Sequence, residues 1–381
     1  MTRKILSNLK EDAKKKNITN LVIANKIGVS ESQVSNWFNS KYKVPFVYFV
    51  QMVDIIHNDD EQTFSDYIMK YSIKLTKKES IREACEWFSV NGKHELLRGL
   101  LKHLEGNDAV VNLYELFLKR NFREIDPQKF FLAINRIKVD GTETKILRDI
   151  GLLYAYLDLK SYKMLFLADE ILLDIDDLLS KKNTKKHKRD YSYNAYKFRV
   201  KEILAIAEMK KNNVSKSEEL ANEIIRESHL YPATATSMLS LLAELYVFTN
   251  YEKSLNYIYQ ALEFCEKISF HESNNMKRFI KSTHDFIKIY NHDFDGLFLE
   301  DSPEIAHYYA AIGKSEEAIK ILNQLERENG VLSPHQLYYK ALATKNIDIM
   351  ESASQAFIDS GDSYYLRMPR SILKEWYALG K

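Results

Sequence analysis

The sequence predicts an all-α protein: an N-terminal helix-turn-helix domain, residues 1–60, followed by a helical-repeat solenoid, residues 61–381. Three observations predict it. Glycine and proline number only 11 and 6 in 381 residues, so few positions interrupt a helix. The stretch Thr19–Pro45 carries the spacing of two short helices crossing at a tight turn. Beyond residue 200, helical segments recur in pairs around short polar turns. A chain of this length also exceeds what one core sustains, which calls for two or more domains.

The N-terminal elements follow from the apolar pattern. Arg3 to Lys16 sets Ile5, Leu6, Leu9 and Ala13 on one stripe with lysines opposite, an amphipathic helix. In TNLVIANKIGVSESQVSNWFNSKYKVP, Ala24 permits close helix approach and Gly28 supplies a residue that tolerates the left-handed turn conformation. Ser30 is a good N-cap and Gln33, three positions on, completes a capping box, so the second helix begins at Glu31. Val34 and Trp37 then point inward. Glu31, Ser32, Ser35 and Asn36 face outward at the front of the helix, the end that enters a major groove in this motif.

Ser32 and Asn36 are the expected base readers, since an amide pairs bidentately with adenine and a hydroxyl accepts several partners. Glu31 either accepts a hydrogen bond from cytosine or only favours the helix N-terminus electrostatically. Asn39, Lys41 and Lys43 form a loop suited to phosphate oxygens, and Asn20 opens the first motif helix within reach of a backbone phosphate. After Pro45, the apolar run FVYFVQMVDIIH closes the small domain, and HNDDEQ, His57–Gln62, is a polar break.

The net charge of +2 hides an asymmetry. Up to Pro45, nine basic residues face three acidic ones, a net +6, which leaves −4 for the rest and puts the nucleic-acid footprint at the N-terminus. Catalytic chemistry is not legible. No phosphate-binding glycine loop occurs, and the ten histidines are scattered. His94-Glu95-Leu96-Leu97-Arg98 opens like a zinc-protease helix but has Arg98 where a second histidine is needed. No catalytic residue, metal or cofactor is therefore expected. Cys85 and Cys265 lack a CxxC pattern, and no apolar run approaches a signal peptide or a membrane span; the expectation is a cytoplasmic protein with no membrane partner.

Helices are predicted at Ile81–Phe88, His94–Leu104, Ala109–Leu118 and Lys129–Ile137, with breaks at Asn91-Gly92 and Gly106-Asn107. Leu204–Ile225, Leu242–Ala261, Ala306–Leu322 and Tyr339–Phe357 each read as helix, turn, helix, with turns at Asn213, Asn250, Gly313 and Asn346. The turn-to-turn intervals are 37, 63 and 33 residues. The middle one matches two units of the roughly 34-residue tetratricopeptide period, with its missing turn near Tyr290-Asn291-His292. Such units bury their faces only by stacking, so a solenoid with a concave inner wall is expected, either a binding surface for extended peptides and partner helices or a spacer. The basic run Lys181–Arg189, KKNTKKHKR, is either a solvated loop or a second contact with DNA backbone.

The motif stretch resembles the DNA-binding domains of phage repressors of the Cro type. Joined to a tetratricopeptide-like solenoid, and with the local matches VFTNYEKS, PEIAHYYAAIGKSEEAIKILNQLE and SGDSYYLRMP, the chain resembles the arbitrium receptors, AimR, of temperate Bacillus phages. That resemblance implies a homodimer that binds an operator in double-stranded DNA and controls lysis against lysogeny. It also implies a short arginine-containing peptide that fills the solenoid and switches the activity off. In the family, acidic side chains hold the peptide's arginine; the matching positions are Glu304 and Asp362. By residue type alone, Glu304 is also a first-turn glutamate and Asp362 a turn residue after Gly361. The family's pocket arginine falls near Ala233, one pocket asparagine near Glu244, and another around Ala207 to Asn212, which leaves a different peptide, or none, as the alternative. Ile372, Leu373, Trp376, Tyr377 and Leu379 are the candidate dimer contact. The expected function is a peptide-gated transcription factor; the alternative is a paralogue that binds DNA constitutively, or a protein partner on its concave face.

Overall fold

A computed structural model describes residues 2–104, 108–139, 141–181, 191–228, 231–267 and 273–378. Among them the regular structure is entirely helical. The first helices are α1 (Thr2–Lys15), α2 (Asn20–Ile27), α3 (Glu31–Phe38), α4 (Phe46–His57), α5 (Glu61–Ser72), α6 (Lys78–Val90), α7 (His94–Leu101) and α8 (Ala109–Asn121). Then come α9 (Pro127–Arg136), α10 (Thr142–Asp158), a 3-10 turn Tyr162–Phe166, α11 (Leu167–Lys181), α12 (Tyr191–Lys210), α13 (Val214–Arg226) and α14 (Pro232–Tyr246). The chain ends with α15 (Tyr251–Lys267), α16 (Ser273–Tyr290), α17 (Ser302–Ala311), α18 (Ser315–Asn329), α19 (Pro334–Thr344), α20 (Ile347–Ser360) and α21 (Arg367–Ala378). Two compact units result: Met1–Asp126 with Arg136–Arg148 and Leu179–Ala195, and Pro127–Asn135 with Asp149–Leu178 and Tyr196–Lys381.

In the first unit, α1 buries Leu6, Leu9 and Ala13, the expected stripe. Thr19 caps α2 by accepting from the Val22 amide at 3.3 Å, and Gly28 ends it at φ +71°, with the Val29 amide returning to the Ala24 carbonyl at 3.0 Å. Ser30 Oγ caps α3 through the Gln33 amide at 3.2 Å. Only this half of the expected capping box forms; Ser30 Oγ also meets Ser32 Oγ at 3.0 Å, and Gln33 is exposed. Helix α4 is apolar on more than one side, so one partner cannot cover it. Phe49 stacks on Tyr71 of α5 at 3.9 Å, and Phe46 meets Trp87 and Phe88 of α6 edge-on at 6.0 and 5.8 Å. The polar break expected near residue 60 is the turn between α4 and α5, and it falls inside this first unit.

In the second unit, sequential helices pack as antiparallel neighbours, and the turns at Asn213, Asn250, Gly313 and Asn346 all fall between paired helices. The 63-residue interval is resolved differently from the two-unit expectation. Helix α16 ends at Tyr290 as expected, but residues 291–301 form no second helix. The Asp285 carboxylate instead accepts from the amides of Phe298 and Leu299 at 3.0 and 2.7 Å, and Ser282 Oγ donates to Asp301 at 2.8 Å. A buried carboxylate thus satisfies irregular backbone that a helix would have satisfied internally. The expected break at Gly106-Asn107 lies outside the described residues.

Gly361, at φ +84°, ends α20, and a Cβ there would lie 2.7 Å from Lys163 Cγ and 3.2 Å from the Lys163 amide nitrogen. A Cβ at Gly28 would meet nothing within 4 Å. Gly28→Ala should therefore cost only left-handed strain, about 1 kcal/mol, whereas Gly361→Ala should cost roughly twice that or more. Urea unfolding of the two variants checks the order; equal costs would show that the approach to Lys163 is relaxed without penalty.

Candidate functional site

Helix α3 is held by Val34, Trp37 and Phe38, all buried, with Trp37 against the Tyr48 ring at 5.2 Å. Those three anchors fix which edge remains outside. Glu31 and Ser32 are exposed, Ser35 and Asn36 half-buried, and Asn39, Lys41 and Lys43 exposed. Asn39 is tied down: Lys10 Nζ donates to its Oδ1 at 2.9 Å, and its Nδ2 donates to Ser35 Oγ at 3.4 Å. Ser35 and Asn39 therefore orient the helix exit, while Asn36 lines an open cleft with Ser32, Gln33, Trp37, Tyr42, Lys43 and Pro45. Asn20 is half-buried in the first turn of α2, whose N-terminal amides suit a phosphate.

Two residues of this face escaped the sequence reading. Gln33 was assigned to the helix cap; freed from that bond, its amide lies beside Asn36. Tyr42, 66% exposed between Lys41 and Lys43, adds an aromatic face at the loop. Exposed lysines and side-chain amides thus cluster on α3 and its exit.

The second unit places both predicted peptide acids on a continuous layer of rings. Glu304 Oε1 accepts from Tyr339 OH at 2.9 Å, and its Oε2 lies 3.1 Å from His307 Nδ1. The His307 and Tyr339 rings stack at 4.1 Å. Phe286 continues the layer, 5.8 Å from His307 and 5.6 Å from Tyr365, and His335 sits 4.9 Å from Phe357 and 4.7 Å from Tyr365. At the far end Asp362 is buried, accepts from the Tyr365 amide at 3.1 Å and pairs with Lys210 Nζ at 2.8 Å. Glu244 accepts from Tyr365 OH at 2.5 Å.

Burial dominates the electrostatics of this wall. It raises the pKa of Glu244 despite the Lys210 charge, and it raises the Tyr365 and Tyr339 phenols beside their carboxylates. Burial alone would lower Lys210; the Asp362 charge overrides it, and Lys210 ends raised. His335 falls well below its ordinary value through burial, reinforced by Lys210 and Lys160. Lys210 and His335 were missed because each reads in sequence as an ordinary helix residue; Lys210 meets its partner only across 152 positions.

The candidate dimer residues divide. Trp376 is buried within the chain itself, Ile372 and Leu373 are half-buried, and Tyr377 is exposed with its hydroxyl on Glu351. Leu379 lies outside the described residues, as does most of the Lys181–Arg189 run. Both cysteines are buried, and among the described residues no cluster of metal-ligating side chains occurs and no helix is long and apolar enough to cross a membrane.

Because the folded pKa of His335 lies below its unfolded value, folding releases its proton. Its contribution is complete above about pH 6.5 and is lost as pH falls toward the folded value. His335→Phe, which keeps a ring among Phe286, Phe357 and Tyr365, should lose less stability between pH 7 and 5.5 than the parent. Urea midpoints at the two pH values check it; parallel losses would remove His335 from the acid response.

Comparison with known proteins places this geometry. The family model described as "AimR transcriptional regulator-like" matches residues 64–375. An uncharacterized protein of Bacillus anthracis is 29% identical over 235 residues, 61% of this chain and 84% of that protein. The AimR transcriptional regulator of Bacillus phage phi3T is 20% identical over 329 residues, covering 83% of this chain and 82% of the phage protein. Among solved structures, AimR with a ligand superposes with a TM-score of 0.71 at 19% identity, covering 86% of this chain and 96% of the other. A selenomethionine form of AimR gives 0.62 at 16% identity, covering 98% and 97%. Those two share the fold. With the family model spanning most of its length, this chain belongs to the AimR transcriptional regulator-like family.

Proposed function

We propose that this protein is a cytoplasmic, non-enzymatic regulator of phage lysis and lysogeny. Residues 1–60 read an operator in double-stranded DNA, and residues 61–381, a tetratricopeptide-like domain, are gated by a short signalling peptide. The observation that carries the reading is α3, whose buried Val34, Trp37 and Phe38 leave Ser32, Gln33 and Asn36 on one open cleft beside Lys41 and Lys43. Gln33 and Asn36 supply amides for base edges; Lys41, Lys43 and the N-terminus of α2 at Asn20 supply phosphate contacts; Glu31, Ser35 and Asn39 orient them. One such domain reads few bases, so the active form is a homodimer on a two-fold site, with Tyr377 at an exposed edge of α21.

Peptide gating is supported by the family and by the placement of Glu304 and Asp362 on one aromatic wall. A peptide acts by preferring one shape of that wall, which shifts the population competent for DNA. A second reading, a paralogue that binds DNA constitutively or grips a protein partner without any peptide, is favoured by one observation: both acids already have partners within the chain.

Two pairs of substitutions test the DNA reading. Gln33→Ala and Asn36→Ala should each cost about 1–3 kcal/mol of affinity for the operator while leaving nonspecific binding unchanged. Lys41→Ala and Lys43→Ala should weaken all sequences alike, each lowering the salt slope by about 1. Anisotropy titrations at two salt concentrations separate the two behaviours. Operator affinity indifferent to both amides would sink the proposed recognition helix.

A further inference from the structure

Asp362 and the faces of Tyr162 and Tyr365 form a cation site. Lys210 Nζ lies 2.8 Å from the Asp362 carboxylate, 4.5 Å from the centre of the Tyr365 ring and 5.0 Å from that of Tyr162. One buried carboxylate flanked by two tyrosine rings is the chemistry by which proteins recognise ammonium and guanidinium groups. Here the cation belongs to the chain itself. It comes from the last residue of α12, and the carboxylate comes from the turn between α20 and α21, 152 positions away.

Other bonds converge on the same turn. The Ser363 amide donates to the Lys210 carbonyl at 2.8 Å, and Arg367 donates to Asn212 Oδ1 with its guanidinium over the Phe248 and Tyr364 rings. Tyr364 OH donates to the Glu244 carbonyl at 2.8 Å, and Tyr365 OH donates to the Glu244 carboxylate. The turn Gly361–Arg367 is thus fastened to α12 and α14, with Lys210 as the central and buried fastening. A buried ion pair seldom adds net stability over an apolar pair, but removing one partner strands the other charge without compensation.

We propose that Lys210 is a tethered counter-cation: it occupies Asp362 in place of a cation carried by a ligand and thereby sets which ligands this wall accepts. The inference rests on reading the wall as a ligand site. An arginine-bearing peptide reaches Asp362 only by displacing Lys210, so the intact chain discriminates against such peptides, and removal of Lys210 opens the site to them. A guanidinium that replaces the ammonium keeps the carboxylate compensated and the turn closed, so occupancy by either cation gives the same latched arrangement.

The test uses the full chain and neither DNA nor a signalling peptide, so it succeeds or fails independently of the regulatory reading. The probe is N-acetyl-argininamide, with uncharged N-acetyl-norleucinamide and equal chloride as controls. Lys210→Ala should lower the Tm by about 10 °C, because it strands a buried carboxylate. The arginine derivative, and neither control, should restore roughly half of that loss, with at least tenfold tighter binding to Lys210→Ala than to the parent. If Lys210→Ala does not fold, the double variant Lys210→Ala with Asp362→Asn should, since the stranded charge is then gone. Four results would overturn the proposal: a Lys210→Ala chain as stable as the parent, a loss that no cation restores, equal binding of the probe to parent and variant, or a double variant that also fails to fold.

Discussion

The helical pairs of the second unit depend on how closely two helices approach just beyond each turn. Ser217 Oγ donates to the Ala205 carbonyl and Ser254 Oγ to the Ala243 carbonyl, both at 2.7 Å and both fully buried. Each serine stands four residues past its turn, after Asn213 and Asn250; Ala318 holds the same place after Lys314 and Met350 after Asn346, also buried. At three of these places a small side chain, Ser217, Ser254 or Ala318, lets the second helix lie against the first, whereas Met350 fills the fourth with a long one; each serine hydroxyl finds a carbonyl acceptor. The apolar face of each pair then stacks on the next, and those interfaces add to what each pair contributes by itself.

Functional placement is a by-product of that packing. Stacking brings Phe286 of α16, His335 and Tyr339 of α19, and Tyr365 of the turn before α21 into one layer, and the carboxylates of Glu304, Glu244 and Asp362 are buried or half-buried along it. A carboxylate in such surroundings must find a cation or a donor, and each does so within the chain: Lys210, Tyr365 or Tyr339. In the first unit Val34, Trp37 and Phe38 consume the apolar side of α3, and its polar side stays open to solvent.

The fold was legible where local chemistry decides it. Gly28, Ser30 and the Leu6, Leu9, Ala13 stripe mark elements by turn and cap rules that act over a few residues, and the four repeat turns are set by equally local signals. Residues 291–301 were not legible, because Asp285 satisfies their backbone from a different segment and nothing in NHDFDGLFLE announces it. Gln33 was legible only as a cap, because the exposure of its side chain on the α3 cleft depends on the return bond to Ser30 not forming, which no sequence signal shows. The two candidate acids came from a family resemblance, whereas their partners did not: Lys210 and Tyr339 pair with them over 152 and 35 positions, and no periodicity in the chain encodes such pairings.

Sequence-specific DNA binding is the claim on which the regulatory account stands. The direct measurement is fluorescence anisotropy of the full chain against fragments tiling the genome that encodes it, at two salt concentrations. The account predicts one fragment bound about a thousandfold or more above the rest, with that preference kept at the higher salt. Weak binding to all fragments alike, collapsing steeply with salt, would contradict it and leave a protein-binding role for the helical array.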